Sequence, residues 1–118
     1  MNLLTDSQVS LLIANAGAAR QAAQRGQELD PFPVVRLFAR HGYAVCLLAA
    51  LDPNDRDYGY GLYDDGHGHP YEGFIVLRVI AETQLMEGYR IECDPSFVAT
   101  KPLSLYTAIA QARGLIVI

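Results

Sequence analysis

The segment Asp52–Phe74, DPNDRDYGYGLYDDGHGHPYEGF, decides the expected fold of this chain of 118 residues. It opens with a turn signal, Asp52-Pro-Asn-Asp55, after which tyrosines and glycines alternate from Tyr58 to Tyr63. Because successive side chains of a strand point to opposite faces, this alternation predicts a strand with one aromatic and one nearly bare face. Bare glycines in a strand let another backbone, a side chain or a ligand come close.

Four further segments have the apolar, β-branched composition of strands. They are Val34–Phe38, Tyr43–Leu51, Gly73–Val79 and Tyr89–Cys93. Arg40, His41 and Gly42 indicate a hairpin turn between the first two, and the almost wholly apolar second run indicates a central strand covered on both faces. Ile80–Met86 fits either a short helix or a continuation of the strand before it.

A first helix is predicted at the start of the chain. Thr5 and Gln8 have the spacing of a capping box, in which each side chain bonds the backbone N–H of the other residue. Apolar residues then recur at helical spacing, with Ala19 and Ala23 continuing an alanine-rich face, and Gly26 ends the pattern.

A second helix is predicted near the end of the chain. Thr100 or Lys101 is expected to cap it, Pro102 lies in its first turn, and Gly114 ends it. These elements predict a single α+β domain over residues 1–118. Its N-terminal and C-terminal helices pack on a mainly antiparallel sheet of four or five strands.

The last four residues of the chain are all apolar, so we expect them to be protected from water. They are Leu115, Ile116, Val117 and Ile118. Three arrangements are open: pairing as a strand, packing under a helix, or joining two copies in a homodimer.

Composition narrows the classes of function. A net charge of −4 argues against a general nucleic-acid binder, which needs a net basic face. With two cysteines there is no disulfide framework, which favours a reducing cytoplasm, and no apolar run is long enough to span a membrane. Neither a nucleophile elbow nor a phosphate-binding glycine loop is present, so an enzyme is the less favoured hypothesis.

Five motifs carry a family resemblance. They are Pro33-Val-Val-Arg-Leu-Phe38, Leu51-Asp-Pro-Asn-Asp55, Tyr60-Gly-Leu-Tyr-Asp64, Gly66-His-Gly-His-Pro70 with Gly73, and Ala99-Thr-Lys-Pro-Leu-Ser-Leu-Tyr106. In this order they resemble a bacterial family catalogued only as a domain of unknown function and common on plasmids and other mobile elements. The resemblance implies a cytoplasmic protein of mobile-element context, where small accessory and anti-defence proteins are frequent. It brings no catalytic residues.

A surface for a protein or nucleoprotein partner is predicted within Asp52–Gly73, which holds six acidic residues and one basic residue, Arg56. If the carboxylates converge, they can dock a basic partner or imitate a phosphate backbone. The alternative is solvated loops, in which carboxylates favour turn geometry. The predicted partner-binding residues are Asp52, Asp55, Asp57, Tyr58, Tyr60, Asp64, Asp65, Tyr71 and Glu72.

The tyrosines of this region can serve either recognition or packing. Aromatic side chains dominate the energetics of many protein interfaces. We nevertheless expect two of the four to fill the core and two to lie at its rim. The four are Tyr58, Tyr60, Tyr63 and Tyr71.

The alternative hypothesis is a small metal-binding protein or metal-dependent hydrolase centred on His67 and His69. Imidazole and carboxylate groups suit zinc and other divalent ions, and Asp64 and Asp65 directly precede the two histidines. A third ligand has to come from elsewhere, and the sequence does not choose among the candidates Cys93, Asp94 and His41. The leading hypothesis needs no cofactor, and an exposed glycine-rich turn explains the same residues.

Overall fold

The structure, a computed structural model, describes residues 3–118. Within that range lie the helices α1 (Asp6–Gln24), α2 (Leu77–Met86) and α3 (Leu103–Arg113). The strands are β1 (Val35–Ala39), β2 (Val45–Asp52), β3 (Asp55–Asp64), β4 (Tyr71–Val76) and β5 (Ile91–Cys93). They form one antiparallel sheet in the order β4-β3-β2-β1-β5. The predicted α+β fold, with helices before and after an antiparallel sheet, is confirmed.

The sheet is covered on both faces, and β2 contributes to both cores because its side chains alternate between them. Cys46 and Leu48 belong to the α1-side core, which also receives Leu12 of α1 and Ile80 of α2. Leu47 and Ala49 point the other way. They pack in the α3-side core, whose other buried members are Leu62, Leu103, Tyr106 and Ala110. The central, doubly covered strand predicted from the apolar run is therefore confirmed.

The bare face of β3 accommodates the backbone of β2. A bulge shifts the register of β2 between Leu48, which pairs with the buried Gly61, and Ala50, which pairs with Tyr60. The buried Gly59 pairs with the next residue of β2, Leu51. A methyl group on Gly59 would lie 2.7 Å from the carbonyl oxygen of Ala50, and one on Gly61 would collide with the carbonyl of Leu47. Of the three occupants that the sequence left open, a neighbouring backbone fills this space at both glycines, and the side chains of Leu48 and Leu51 also contact it at Gly59.

Some predicted elements differ from the structure. The fourth strand runs from Tyr71 to Val76 rather than from Gly73 to Val79. Helix α2 begins at Leu77, so the residues before Met86 form a helix. The alanine-rich face of α1 does not face the core: Ala19 and Ala23 are exposed, whereas Ala22 is buried. Periodicity alone cannot identify the buried stripe when most residues of the helix are small.

The predicted caps of α1 and the C-terminal end of α3 are present. The Thr5 hydroxyl accepts the Gln8 N–H at 3.1 Å, and the Gln8 side chain accepts the Thr5 N–H at 2.9 Å. Gly114 ends α3 with a left-handed backbone at φ 76°, as a helix-ending glycine commonly does.

The apolar tail forms no strand. Ile116 instead packs half-buried against the α3-side core, whereas Leu115 and Ile118 remain more than half exposed. The homodimer alternative stays a prediction. No helix within residues 3–118 has the length and apolar character needed to cross a membrane.

The close approach of β2 and β3 predicts opposite effects for two glycine-to-alanine changes. Gly61→Ala should lower the free energy of unfolding by about 1–3 kcal/mol, because the added methyl group forces two strands apart. Gly17→Ala is the control. It lies inside α1 with no atom within 4 Å of the added methyl group, and should raise stability by about 0.5–1 kcal/mol. Urea denaturation measures both changes, and equal stability of the two variants would contradict this account of the sheet.

Candidate functional site

An open groove of about 770 Å³ lies over β3 and β4. Its floor is formed by Tyr58, Tyr60 and Phe74. The walls are the C-terminal half of α1, the linker 27–31 and the first residues of α3. We call this surface the aromatic groove.

The aromatic floor follows from strand register. Tyr60 pairs with Phe74 across β3 and β4, and Tyr58 lies two residues earlier on the same face. The rings of Tyr58 and Phe74 are stacked, with centroids 5.4 Å apart, and Tyr60 meets Phe74 edge-on at 5.1 Å. Phe74 is 65% exposed. The structure therefore presents an organised aromatic surface to solvent.

Carboxylates surround this floor. Among the described residues that line the groove, Arg20 is the one base, against the four acids Glu28, Asp30, Asp52 and Glu72. Glu72 is held between β4 and α3: one oxygen accepts the Tyr60 hydroxyl at 2.6 Å and the other accepts the Thr107 hydroxyl at 2.7 Å. The anionic character of the groove is thus built into the packing of α3 on the sheet.

The Tyr60 hydroxyl reports the electrostatics of the groove. Burial raises the pKa of Tyr60 to about 12, and its hydrogen bond to Glu72 adds to the rise. The charges of Glu72, Glu28 and Asp30 act in the same direction on this pKa. Carboxylates from β4 and from the linker therefore act on one point of the groove, and their combined field favours positive charge there.

Asp30 also caps α3, which corrects the cap predicted from the sequence. The residue before the helix is Pro102, and its side chain makes no capping bond. Asp30 instead accepts the backbone N–H of Ser104 at 3.0 Å and also the Ser104 hydroxyl. Thr100, which was predicted as the cap with Lys101 as the alternative, donates its backbone N–H to the Tyr106 hydroxyl at 3.1 Å.

The six carboxylates of the Asp52–Gly73 region do not form one surface. Asp55 and Asp64 lie at opposite ends of β3, roughly 30 Å apart for a strand of this length. Four of the six accept a backbone N–H two residues ahead. They are Asp52, Asp55, Asp64 and Asp65. Their contacts match the turn geometry that the sequence offered as the alternative.

Asp57 does not shape a turn. Its carboxylate accepts the backbone N–H of Arg78 at 2.8 Å. Val76, the residue before α2, makes no side-chain capping bond. Asp57 therefore caps α2 from the neighbouring strand.

The groove contains only part of the predicted partner-binding set. Asp52, Tyr58, Tyr60 and Glu72 line it. The remaining members lie outside the groove: Asp55, Asp57, Asp64, Asp65 and Tyr71. Asp64 is buried, and Tyr71 packs edge-on against Tyr63 on the opposite face of the sheet.

Two groups of groove residues were not identified from the sequence. Glu28 and Asp30 lie in the linker after α1, outside the segment on which the prediction rested. Phe74 closes that segment and carries the largest exposed ring of the groove. The sequence did place Phe74 in the predicted fourth strand, and pairing of that strand with the tyrosine-rich strand could have indicated that Phe74 belongs to an aromatic surface.

Among residues 3–118, the fold brings no third metal ligand to the two histidines of the metal hypothesis. His67 and His69 lie exposed in the loop between β3 and β4, where Asp65 accepts the backbone N–H of His67 at 3.0 Å. Within residues 3–118, no group of three or more histidine, cysteine, aspartate or glutamate side chains is placed to hold an ion. A metal site at these histidines stays a prediction.

The fold and the groove define a small α+β protein with an aromatic, carboxylate-lined surface at one end of its sheet. The chain belongs to the family described as a protein of unknown function (DUF2958), whose model matches residues 3–117. Comparison with curated proteins gave no match, and comparison with solved structures gave none.

The distant cap of α3 can be tested by substitution. Asp30→Ala should lower the free energy of unfolding by about 1 kcal/mol, since it removes the acceptor for the Ser104 backbone N–H. Asp30→Asn is the control, because an amide oxygen can accept the same bond. Chemical denaturation compares them, and an unchanged stability of Asp30→Ala would show that the helix start needs no such acceptor.

The raised pKa of Tyr60 predicts a contribution to alkaline stability. The pKa of this phenol rises from an ordinary 10.0 to about 12, so the folded chain holds the proton more tightly than the unfolded chain. The resulting stability is complete below pH 10 and is lost as the pH rises toward 12. Unfolding curves over this range should show a shallower decline for Tyr60→Phe. Tyr63, whose pKa is also raised, leaves some decline in the variant. Parallel declines in variant and wild type would rule out the assignment to Tyr60.

Proposed function

We propose that this protein is a non-enzymatic interaction module that binds a basic segment of a partner protein in the aromatic groove. One observation carries the proposal. An organised, solvent-facing aromatic floor lies beside carboxylates that the fold itself holds in place.

The chemistry of the groove suits lysine and arginine side chains. A cation over an aromatic face gains about 0.5–2 kcal/mol, depending on how far the pair is removed from water. The stacked Tyr58 and Phe74 offer such faces, and Phe74 is mostly exposed. Glu28 and Asp30 supply negative charge from the linker wall, so a basic side chain meets both kinds of contact together.

The carboxylates are positioned for binding before a partner arrives. Glu72 accepts two hydroxyl donors and Asp30 accepts two groups of Ser104, which fix the orientation of both side chains. A carboxylate has about four acceptor positions, so each can take a further donor from a partner. Preorganised groups lose little conformational entropy on binding, and this favours recognition of a specific segment.

The proposal extends to the cellular setting that the motifs imply. The family resemblance implies a plasmid or other mobile-element context, and we place the module there as an accessory or anti-defence protein. Its partner would then be a protein, or a protein bound to nucleic acid, whose basic segment the groove recognises.

Affinity co-purification from a bacterial lysate, with and without nuclease, tests the proposal. A protein partner present in stoichiometric amount should survive nuclease and be lost with Phe74→Ala and with Glu28→Lys, which remove an aromatic face and reverse a groove charge. Met86→Ala and Glu87→Lys are the matched controls, since both residues are exposed on the surface around the end of α2 and neither lines the groove. Both controls should retain the partner.

Two results would count against this function. A partner retained by both groove variants would place the binding surface elsewhere. A partner released by nuclease in the wild type would make nucleic acid, and not the groove, the link between the two proteins.

A further inference from the structure

β4 forms one edge of the sheet, since its strand neighbour is β3 alone. Edge strands present a row of backbone donors and acceptors that can pair with another chain. Hydrogen-bond alternation shows which groups of β4 face outward. The N–H of Ala39 donates to the Ala44 carbonyl at 2.9 Å, so the backbone groups of Ala44 point toward β1. Those of Val45, one residue on, therefore point toward β3.

The same alternation continues across the sheet. Val45 pairs with Asp64, so the backbone groups of Asp64 point toward β2 and those of Tyr63 point toward β4. Tyr63 pairs with Tyr71, which directs the backbone groups of Tyr71 inward. The next residue, Glu72, faces outward, and so does Phe74. Among residues 3–118, neither makes a backbone hydrogen bond outside the strand ladder.

Two properties therefore coincide at Glu72 and Phe74. Their backbone groups lie on the open edge of the sheet, and their side chains line the aromatic groove. We infer that the partner segment binds as an additional antiparallel strand along β4, with alternate basic side chains facing the groove. This inference rests on the proposed function of the groove and adds the backbone conformation of the partner.

Geometry fixes the register of such a strand. A residue directly opposite Glu72 or Phe74 in an antiparallel pair places its side chain on the same face, about 5 Å away. The backbone N–H of that residue points toward β4. The basic residues of the segment are thus the same residues whose backbone N–H groups bind the protein.

Charge favours a basic segment over a second copy of this chain. The chain carries a net charge of −4, and β4 itself contributes Glu72 without any base. Two copies joined along β4 would bring two carboxylate-lined grooves together, and such like-charge juxtaposition opposes association. A segment rich in lysine or arginine meets complementary charge along the same edge.

A peptide of alternating arginine and valine, acetyl-Arg-Val-Arg-Val-Arg-Val-Arg-amide, is the probe. Its binding to the intact protein is measured by calorimetry, beside two N-methylated forms. Methyl groups on the arginine backbone nitrogens should weaken binding by roughly tenfold or more, since at least two hydrogen bonds to β4 are lost. Methyl groups on the valine nitrogens should leave the affinity close to that of the parent peptide, because those N–H groups face solvent.

The outcomes separate this inference from the proposed function. Equal binding of both methylated forms, still lost in Glu28→Lys, would overturn strand addition and leave the groove as the binding site. Failure of the parent peptide to bind would overturn both proposals. Equal binding of a peptide with all its arginines consecutive would overturn strand addition alone, because such a peptide cannot place alternate arginines toward the groove. A protein dimer that excludes the peptide would show that a second copy occupies the β4 edge, and this too would overturn the inference.

Discussion

The close contact between the backbones of β2 and β3 is the constraint on which the rest of the structure depends. Gly59 and Gly61 allow the bulged part of β2 to approach to a distance that any side chain would block. Because β2 contributes to both cores, its position sets where α1 and α2 pack on one face and α3 on the other. The glycines also leave their tyrosine neighbours on the face of the groove.

Carboxylates connect distant parts of this framework. Neither α2 nor α3 receives a capping side chain from the residue that begins it, and each takes one from elsewhere. Asp57 of β3 caps α2, and Asp30 of the linker caps α3 across a separation of 74 residues in sequence. Unpaired N–H groups at a helix start are stabilised by such acceptors, so these bonds tie the helices to particular points of the sheet and linker. Some of the acidic residues of the chain therefore stabilise its fold by capping helices.

The sequence predicted the elements whose signals are local. The capping box at Thr5 and Gln8, the apolar central strand and the aromatic strand after Asp55 depend on neighbouring residues alone. The groove was harder to predict from the sequence, because its residues come together only through the register of the strands and through the path of the linker. Tyr60 and Glu72 were identified, but Phe74 required the pairing of β3 with β4, and Glu28 and Asp30 required the fold. The carboxylates that looked like one cluster are separated by the length of a strand, which composition does not reveal.

The groove itself follows from a mismatch of lengths. α3 has 11 residues and so extends about 16 Å, whereas the ten residues of β3 extend about 33 Å. Even laid along the strand, this helix covers about half of the face that β3 and β4 present. The covered half contains the buried Leu62, and the other half carries Tyr58 and Phe74 in contact with solvent. The linker after α1 borders that half without closing it. An exposed aromatic surface beside an open strand edge favours unwanted association, and carboxylates at its rim reduce this tendency while selecting for positive charge.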